Sequence, residues 1–167
     1  MAVDTSVIGK STGTHRVVVE RQPLSNFAKA VKDNNPIYQD PRAAQAAGFD
    51  AVPAPPTWSF AMGGWGTYPE LQEDLPKVEG NPMFEIIGKL QAKGGLVLHG
   101  EQEFEYHRPI VAGDVLIGEG KVIDAYEKET GNAVMTFVVS ETTWKDDKTG
   151  QPVVTTRFNL IHRASKA

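Results

Sequence analysis

Residues 96–107 read Leu-Val-Leu-His-Gly-Glu-Gln-Glu-Phe-Glu-Tyr-His, and the second half of this stretch alternates strictly. Glu101, Glu103 and Glu105 fall on one face, and Gln102, Phe104 and Tyr106 on the other. A two-residue repeat marks a strand with two unlike faces. Three later stretches also read as strands: Asp114–Tyr126, Ala133–Trp144 and Pro152–Arg163. The turn Lys128-Glu129-Thr130-Gly131 separates the first two, and Asp146-Asp147-Lys148-Thr149-Gly150 the last two. Short turns of this composition join antiparallel neighbours. Proline usage agrees. Nine of the eleven prolines lie between Pro23 and Pro82, and proline is kept out of central strands.

Outward from these strands, the first half reads as short elements. Arg16–Glu20 is a short strand. Pro23 opens a helix with Leu24, Phe27, Ala28 and Val31 on one face, the spacing of a buried stripe. Asp33-Asn34-Asn35-Pro36 stops it. Pro41–Ala47 is a second helix closed by Gly48, and Gly48–Pro56 is an irregular, proline-rich connection. Thr57–Gly66 (TWSFAMGGWG) is apolar nearly all round, so it is expected as a buried central helix. Asn81-Pro82 reads as the cap and first turn of another helix, carrying Phe84, Ile87 and Leu90. The expectation is one α+β domain over residues 1–167, a curved antiparallel sheet wrapped around a central apolar helix.

Composition narrows the function classes. The chain has 167 residues, a net charge of -4 and no cysteine. Without cysteine there is no thiol nucleophile and no cysteine-ligated metal. A mildly acidic balance does not suit a phosphate backbone, so no nucleic-acid partner is expected. No stretch is long and apolar enough for a membrane span, and the first ten residues lack a signal-peptide pattern. A cytoplasmic location is the expectation. His15, His99, His107 and His162 show no ligand spacing, and no glycine-rich phosphate loop is present. No metal or cofactor is therefore expected.

The stretch 31–41, Val-Lys-Asp-Asn-Asn-Pro-Ile-Tyr-Gln-Asp-Pro, is the most informative for function. Locally, Asp33 reads as an Asx-turn that stops a helix, and Asp40 as the N-cap of the next one. In a wider frame it resembles the signature of the MaoC-like hydratase/dehydratase family, roughly Gly-Asp-x-Asn-Pro-(Leu/Ile/Val)-His-x-Asp-Pro. Asp33, Asn35, Pro36, Ile37, Asp40 and Pro41 fall on matching positions. Gly48-Phe49-Asp50-Ala51-Val52 and His107-Arg108-Pro109-Ile110-Val111-Ala112-Gly113-Asp114 resemble two further motifs of that family, in the right order.

The resemblance implies a hot-dog fold and reversible hydration of an enoyl thioester carried by CoA or an acyl carrier protein. Two departures accompany it. Tyr38 stands at the position of the family's catalytic histidine. Ala54-Pro55-Pro56-Thr57 replaces a His-Gly pair whose backbone N–H faces the thioester oxygen, and proline has no N–H. The chain is thus similar to the accessory-subunit type of (3R)-hydroxyacyl-thioester dehydratases, weak or inactive alone and paired with another MaoC-like subunit. By this resemblance Asp33 and Tyr38 are the candidate catalytic residues. Asn35, Pro56, Thr57, Trp58 and Met62 are the candidate substrate contacts; Met62 is equally readable as core. Two alternatives stay open: a self-sufficient homodimer using Asp33, and a non-catalytic acyl-thioester binding protein.

Overall fold

In the computed structural model, which describes residues 3–166, five antiparallel strands form one sheet. They are β1 (Ser11–Val18), β2 (Leu96–Tyr106), β3 (Val115–Thr130), β4 (Ala133–Asp146) and β5 (Pro152–Ser165). The order is β1-β3-β4-β5-β2, so the two strands that come first in the chain occupy the edges. Register shifts interrupt every ladder, including one in β3 between Val122 and Asp124 and one in β2 between His99 and Gln102. Bulges of this kind bend a sheet and increase its twist.

Four helices accompany the sheet: α1 (Arg21–Ala30), α2 (Pro41–Ala46), α3 (Trp58–Ala61) and α4 (Pro82–Gln91). They divide the core. Trp58 and Met62 join Val17, Leu24, Leu116, Trp144 and Val153 in one cluster. Met83, Ile86 and Ile87 of α4 meet Val122, Val138 and Leu160 in the other.

The single central helix expected over Thr57–Gly66 is not what forms. Its α-helical part is only Trp58–Ala61, followed by a tight 3-10 turn over Met62–Gly64. Trp58 and Met62, four apart, face the core, while Phe60 and Trp65 are 52% and 50% exposed. The glycines end the helix, and the chain then passes close over β1. Gly66 accepts the Val18 N–H at 3.1 Å, and a Cβ there would stand 2.1 Å from the Val18 oxygen. The longer apolar helix on the sheet is α4, whose cap Asn81 accepts the Met83 N–H. The first strand also begins earlier than expected, at Ser11.

Val31 is likewise not on the buried face of α1, because the helix has ended at Ala30. Lys32 follows in the left-handed region at φ 61. Its N–H reaches the Lys29 oxygen, and the Asp33 N–H reaches the Ala28 oxygen at 2.8 Å. This pair of bonds is the Schellman closure, whose left-handed position favours glycine. Lysine there carries the Cβ penalty.

The two sheet edges differ. At β1 the Arg16 N–H donates to Gln72 Oε1 at 2.9 Å, Gln72 Nε2 donates back to the Arg16 oxygen at 2.8 Å, and Gly66 takes Val18. Arg16 is also tied to Asp74 at 2.7 Å. The segment 66–74 therefore covers that edge. At β2, among the described residues, β5 is the only strand paired. Leu96, Leu98 and Tyr106 on β2 are 59%, 39% and 38% exposed, beside Phe84 at 61%.

The turn from β2 to β3 is held by Arg108. Its guanidinium donates to both oxygens of Asp114, at 2.7 and 3.1 Å, and to Asp146 at 3.0 Å. Asp114 also accepts the Val111 N–H. The Thr149 N–H and hydroxyl, the Lys148 N–H and Arg108 together hold the Asp146 carboxyl below the usual aspartate range.

Two outcomes follow from these local features. Lys32→Gly should raise stability by about 0.5–1 kcal/mol, seen as a higher urea midpoint, because the left-handed strain outweighs glycine's added chain entropy. For Asp146, a depressed folded pKa means stabilisation present above its unfolded value and lost as pH falls through the folded one. The stability gap between the natural chain and Asp146→Asn should thus be constant above about pH 5 and narrow below about pH 4. A gap that does not change with pH would contradict this.

Candidate active site

The three motif stretches, far apart in sequence, meet around one pocket of about 410 Å3. Ile37 and Tyr38 come from the turn after α1, and Phe49, Pro53, Ala54 and Pro56 from the proline-rich connection. Tyr106 to Ile110 come from the end of β2 and the turn beyond it. The lining is mostly apolar, which suits an organic ligand with few polar groups.

Each wall has a local cause. The connection is bridged to the turn at Pro53 and Val111. The Ala54 N–H donates to the Ile110 oxygen at 2.8 Å, and the Ala112 N–H to the Val52 oxygen at 2.9 Å. The Asn35–Tyr38 turn is pinned to α1, since the Ser25 hydroxyl donates to the Tyr38 oxygen at 2.7 Å. Gln39 Nε2 donates to the Ser25 oxygen. Asn35 caps the 3-10 turn Pro36–Tyr38 by accepting the Ile37 N–H, and Asp40 caps α2 by accepting the Arg42 N–H.

Tyr38 is 8% exposed, with its ring on the pocket wall. Burial first, and then the negative charge of Asp33, push its phenol above the ordinary value near 10. It is protonated at neutral pH and can donate a hydrogen bond, but it cannot serve as a base. Asp33 is half-buried beside it and does not line the pocket; its Oδ1 accepts the Asn35 N–H at 3.0 Å.

The other sequence candidates separate. Pro56 lines the pocket, and its carbonyl accepts the Tyr106 hydroxyl at 2.5 Å. Asn35 is exposed and spends its side chain on the turn cap. Thr57 is exposed at the start of α3 and makes no side-chain cap bond. Trp58 and Met62 are 1% and 0% exposed and belong to the core cluster rather than the pocket lining. The Trp58 ring packs edge-on against Phe27, and its Nε1 is buried with no hydrogen-bond partner.

Tyr106 is the residue that sequence reasoning passes over. Its hydroxyl sits between the Pro56 carbonyl and the Ser59 Oγ, 3.0 Å away, and so joins β2 to the start of α3. Burial raises its pKa, and the Ser59 bond offsets part of that rise. The alternation of β2 puts Tyr106 on the face of Phe104, but a long-range partner on α3 has no local signature. Phe49 and Ile110 sit inside the quoted motifs, where they read as turn residues.

The histidines do not converge. His107 faces Thr155 at 3.3 Å, His99 packs against Phe60 and Phe158, and buried His162 bonds the Gly94 oxygen at 2.9 Å. Among the described residues, no three His, Asp or Glu side chains are grouped as metal ligands.

Comparisons with known proteins place this geometry. The family model "FAS1-like, dehydratase domain region" matches residues 6–156. The chain is 34% identical to a "UPF0336 protein" of Saccharopolyspora erythraea, over 99% of this chain and 94% of that one. It is 31% identical to a "Probable enoyl-CoA hydratase alpha subunit" of Thermomonospora curvata, over 83% of this chain and 43% of that one. Its fold matches the ChsH1-ChsH2 complex of Mycobacterium tuberculosis with a TM-score of 0.71 at 22% identity, over 91% of this chain and 83% of that one. A sheet of this order with its apolar helices, three motifs meeting at one pocket and a family match over residues 6–156 agree: the chain belongs to the FAS1-like, dehydratase domain region family and has the hot-dog fold of the MaoC-like dehydratases.

Proposed function

We propose that this chain is one subunit of an enoyl-thioester hydratase, or (3R)-hydroxyacyl-thioester dehydratase, that shapes the acyl channel while a partner carries the Asp–His pair. The observation that carries the reading is Tyr38. It lines the apolar pocket at the position of the family's histidine, buried and held in its protonated form.

The chemistry explains why that matters. Hydration adds water across the Cα–Cβ double bond. Oxygen bonds to Cβ as a base takes one of its protons, a proton reaches Cα, and the thioester oxygen carries negative charge in between. A protonated phenol cannot take the water's proton. Asp33 accepts the Asn35 N–H, so one of its oxygens is engaged in the turn. An acyl chain, by contrast, needs only a dry wall, and Phe49, Ala54, Pro56 and Ile110 provide one.

Pairing has support of its own. The open edge of β2 offers unpaired backbone groups, flanked by exposed Leu96, Leu98, Phe60 and Phe84. A fold relative is solved as the ChsH1-ChsH2 complex, and a sequence relative carries the name of an alpha subunit. These observations support a second hot-dog chain as the partner.

The test is hydration of 2-enoyl-CoA substrates by the chain alone and mixed with an Asp–His-bearing MaoC-like chain, with masses read by size-exclusion light scattering. Turnover only in the mixture, in a mixed dimer, is the expected outcome. Turnover by the chain alone, abolished by Asp33→Asn or Tyr38→Phe, would replace this reading with a self-sufficient homodimer. In the active mixture, Ala54→Phe should fill the pocket and raise KM for a long acyl chain by at least about tenfold. Crotonyl-CoA should be little affected.

A further inference from the structure

On the face of the sheet turned away from the helices, the strand registers set side chains in rows. Tyr126 lies opposite Phe137, Phe137 opposite Ile161, and Ile161 opposite Leu98. These four make one apolar row across β3, β4, β5 and β2. Their chain neighbours Ala125, Val138 and Leu160 fill the core, so strand alternation turns the row outward. The Tyr126 and Phe137 rings are stacked, with centroids 4.7 Å apart, and Leu98 is 39% exposed.

The rows on either side of it carry opposite charge. One holds Lys128, Met135, Arg163 and Leu96, each opposite the next. The other holds Asp124, Val139 and Asn159, with Glu101 in the bulge of β2 beside them. Lys128, Arg163, Asp124 and Glu101 are exposed. None has an ion-pair partner among the described residues. One oxygen of Asp124 accepts the Ala125 N–H, which leaves its charge uncompensated. Lys128 Nζ lies 5.3 Å from the Tyr126 ring and 5.5 Å from the Phe137 ring, at the border of the apolar row. The row beyond the acidic one balances its own charge: Lys121 meets Glu141 at 3.7 Å, and Arg157 meets Glu141 at 2.9 Å and Glu103 at 3.1 Å.

We propose that this face packs against the same face of a second copy of the chain, about a two-fold axis that runs along the apolar row. Two sheets packed face to face bury such a row between them. Charge selects the axis. Rotation about the row reverses the strand direction of the second copy and lays its cationic row over the acidic row of the first. Lys128 of each copy then meets Asp124 of the other, a self-complementary contact of the kind a two-fold interface requires. An axis along the strands would set cation on cation. Three rows across four strands cover on the order of 400 Å2 per copy, about half of a standard interface, so the pair forms at high protein concentration. This surface is separate from the pocket and from the β2 edge.

The test is sedimentation velocity of the purified chain over a concentration series. The expected result is a reversible doubling of mass as concentration rises. Lys128→Glu and Asp124→Lys should each raise the dissociation constant at least about tenfold. The combined exchange Lys128→Glu/Asp124→Lys restores opposite charges across the axis and should return the constant close to that of the natural chain. Three results would each overturn the proposal: no doubling up to the highest soluble concentration, a doubling that neither single variant weakens, or a combined exchange as weak as its single variants. The second would assign self-association to the β2 edge instead. None of these readouts depends on hydratase activity, so their failure leaves the proposed function untouched.

Discussion

Two backbone hydrogen bonds, Ala54 N–H to Ile110 and Ala112 N–H to Val52, hold the candidate site together. They fasten a stretch with almost no secondary structure of its own to the turn that leaves β2. Proline explains why the pairing is so brief. Pro53, Pro55 and Pro56 have no N–H to give, so the ladder cannot extend, and Ala54 is the residue among them that can donate. The Arg108 clamp on Asp114 and Asp146 keeps the opposite side of this junction in register. The pocket is therefore built of rigid turns rather than of helix faces.

Within that frame, Tyr38 keeps a protonated ring at the pocket. A histidine at position 38 would titrate near neutral pH; the tyrosine there does not. Burial and the Asp33 charge act in the same direction, each penalising the phenolate. The position keeps a flat, amphipathic ring on an apolar wall, protonated at neutral pH. Asp33 and Asn35 meanwhile serve the turn that places this ring, so the acidic half of the signature has a structural use here whatever its chemical one.

Much of this was legible in the residues. The four late strands follow from alternation and turn composition, and the caps at Asp40 and Asn81 sit where side-chain chemistry puts them. The motif stretches 31–41, 48–52 and 107–114 do converge. What the sequence could not reveal was distance-dependent. Thr57–Gly66 is apolar enough for a central helix, but Gly66 is drawn against β1 by a contact with Val18, forty-eight residues earlier in the chain. That close approach cuts the helix short. Trp58 and Met62 consequently pack into the core behind the pocket. Tyr106 enters the site through its reach to Pro56 and Ser59, which no local pattern encodes.

The unequal edges of the sheet also govern how far the molecule can grow. With Gln72 and Gly66 closing the β1 side, the β2 margin is, among the described residues, the one left open to another strand. A body with one adhesive margin joins one neighbour and is then spent. If both margins were bare, each added copy would expose a fresh one, and the sheets could run on as a fibril. The strap over β1 thus acts as a terminator: for any association through sheet edges it favours a closed pair over an open-ended polymer.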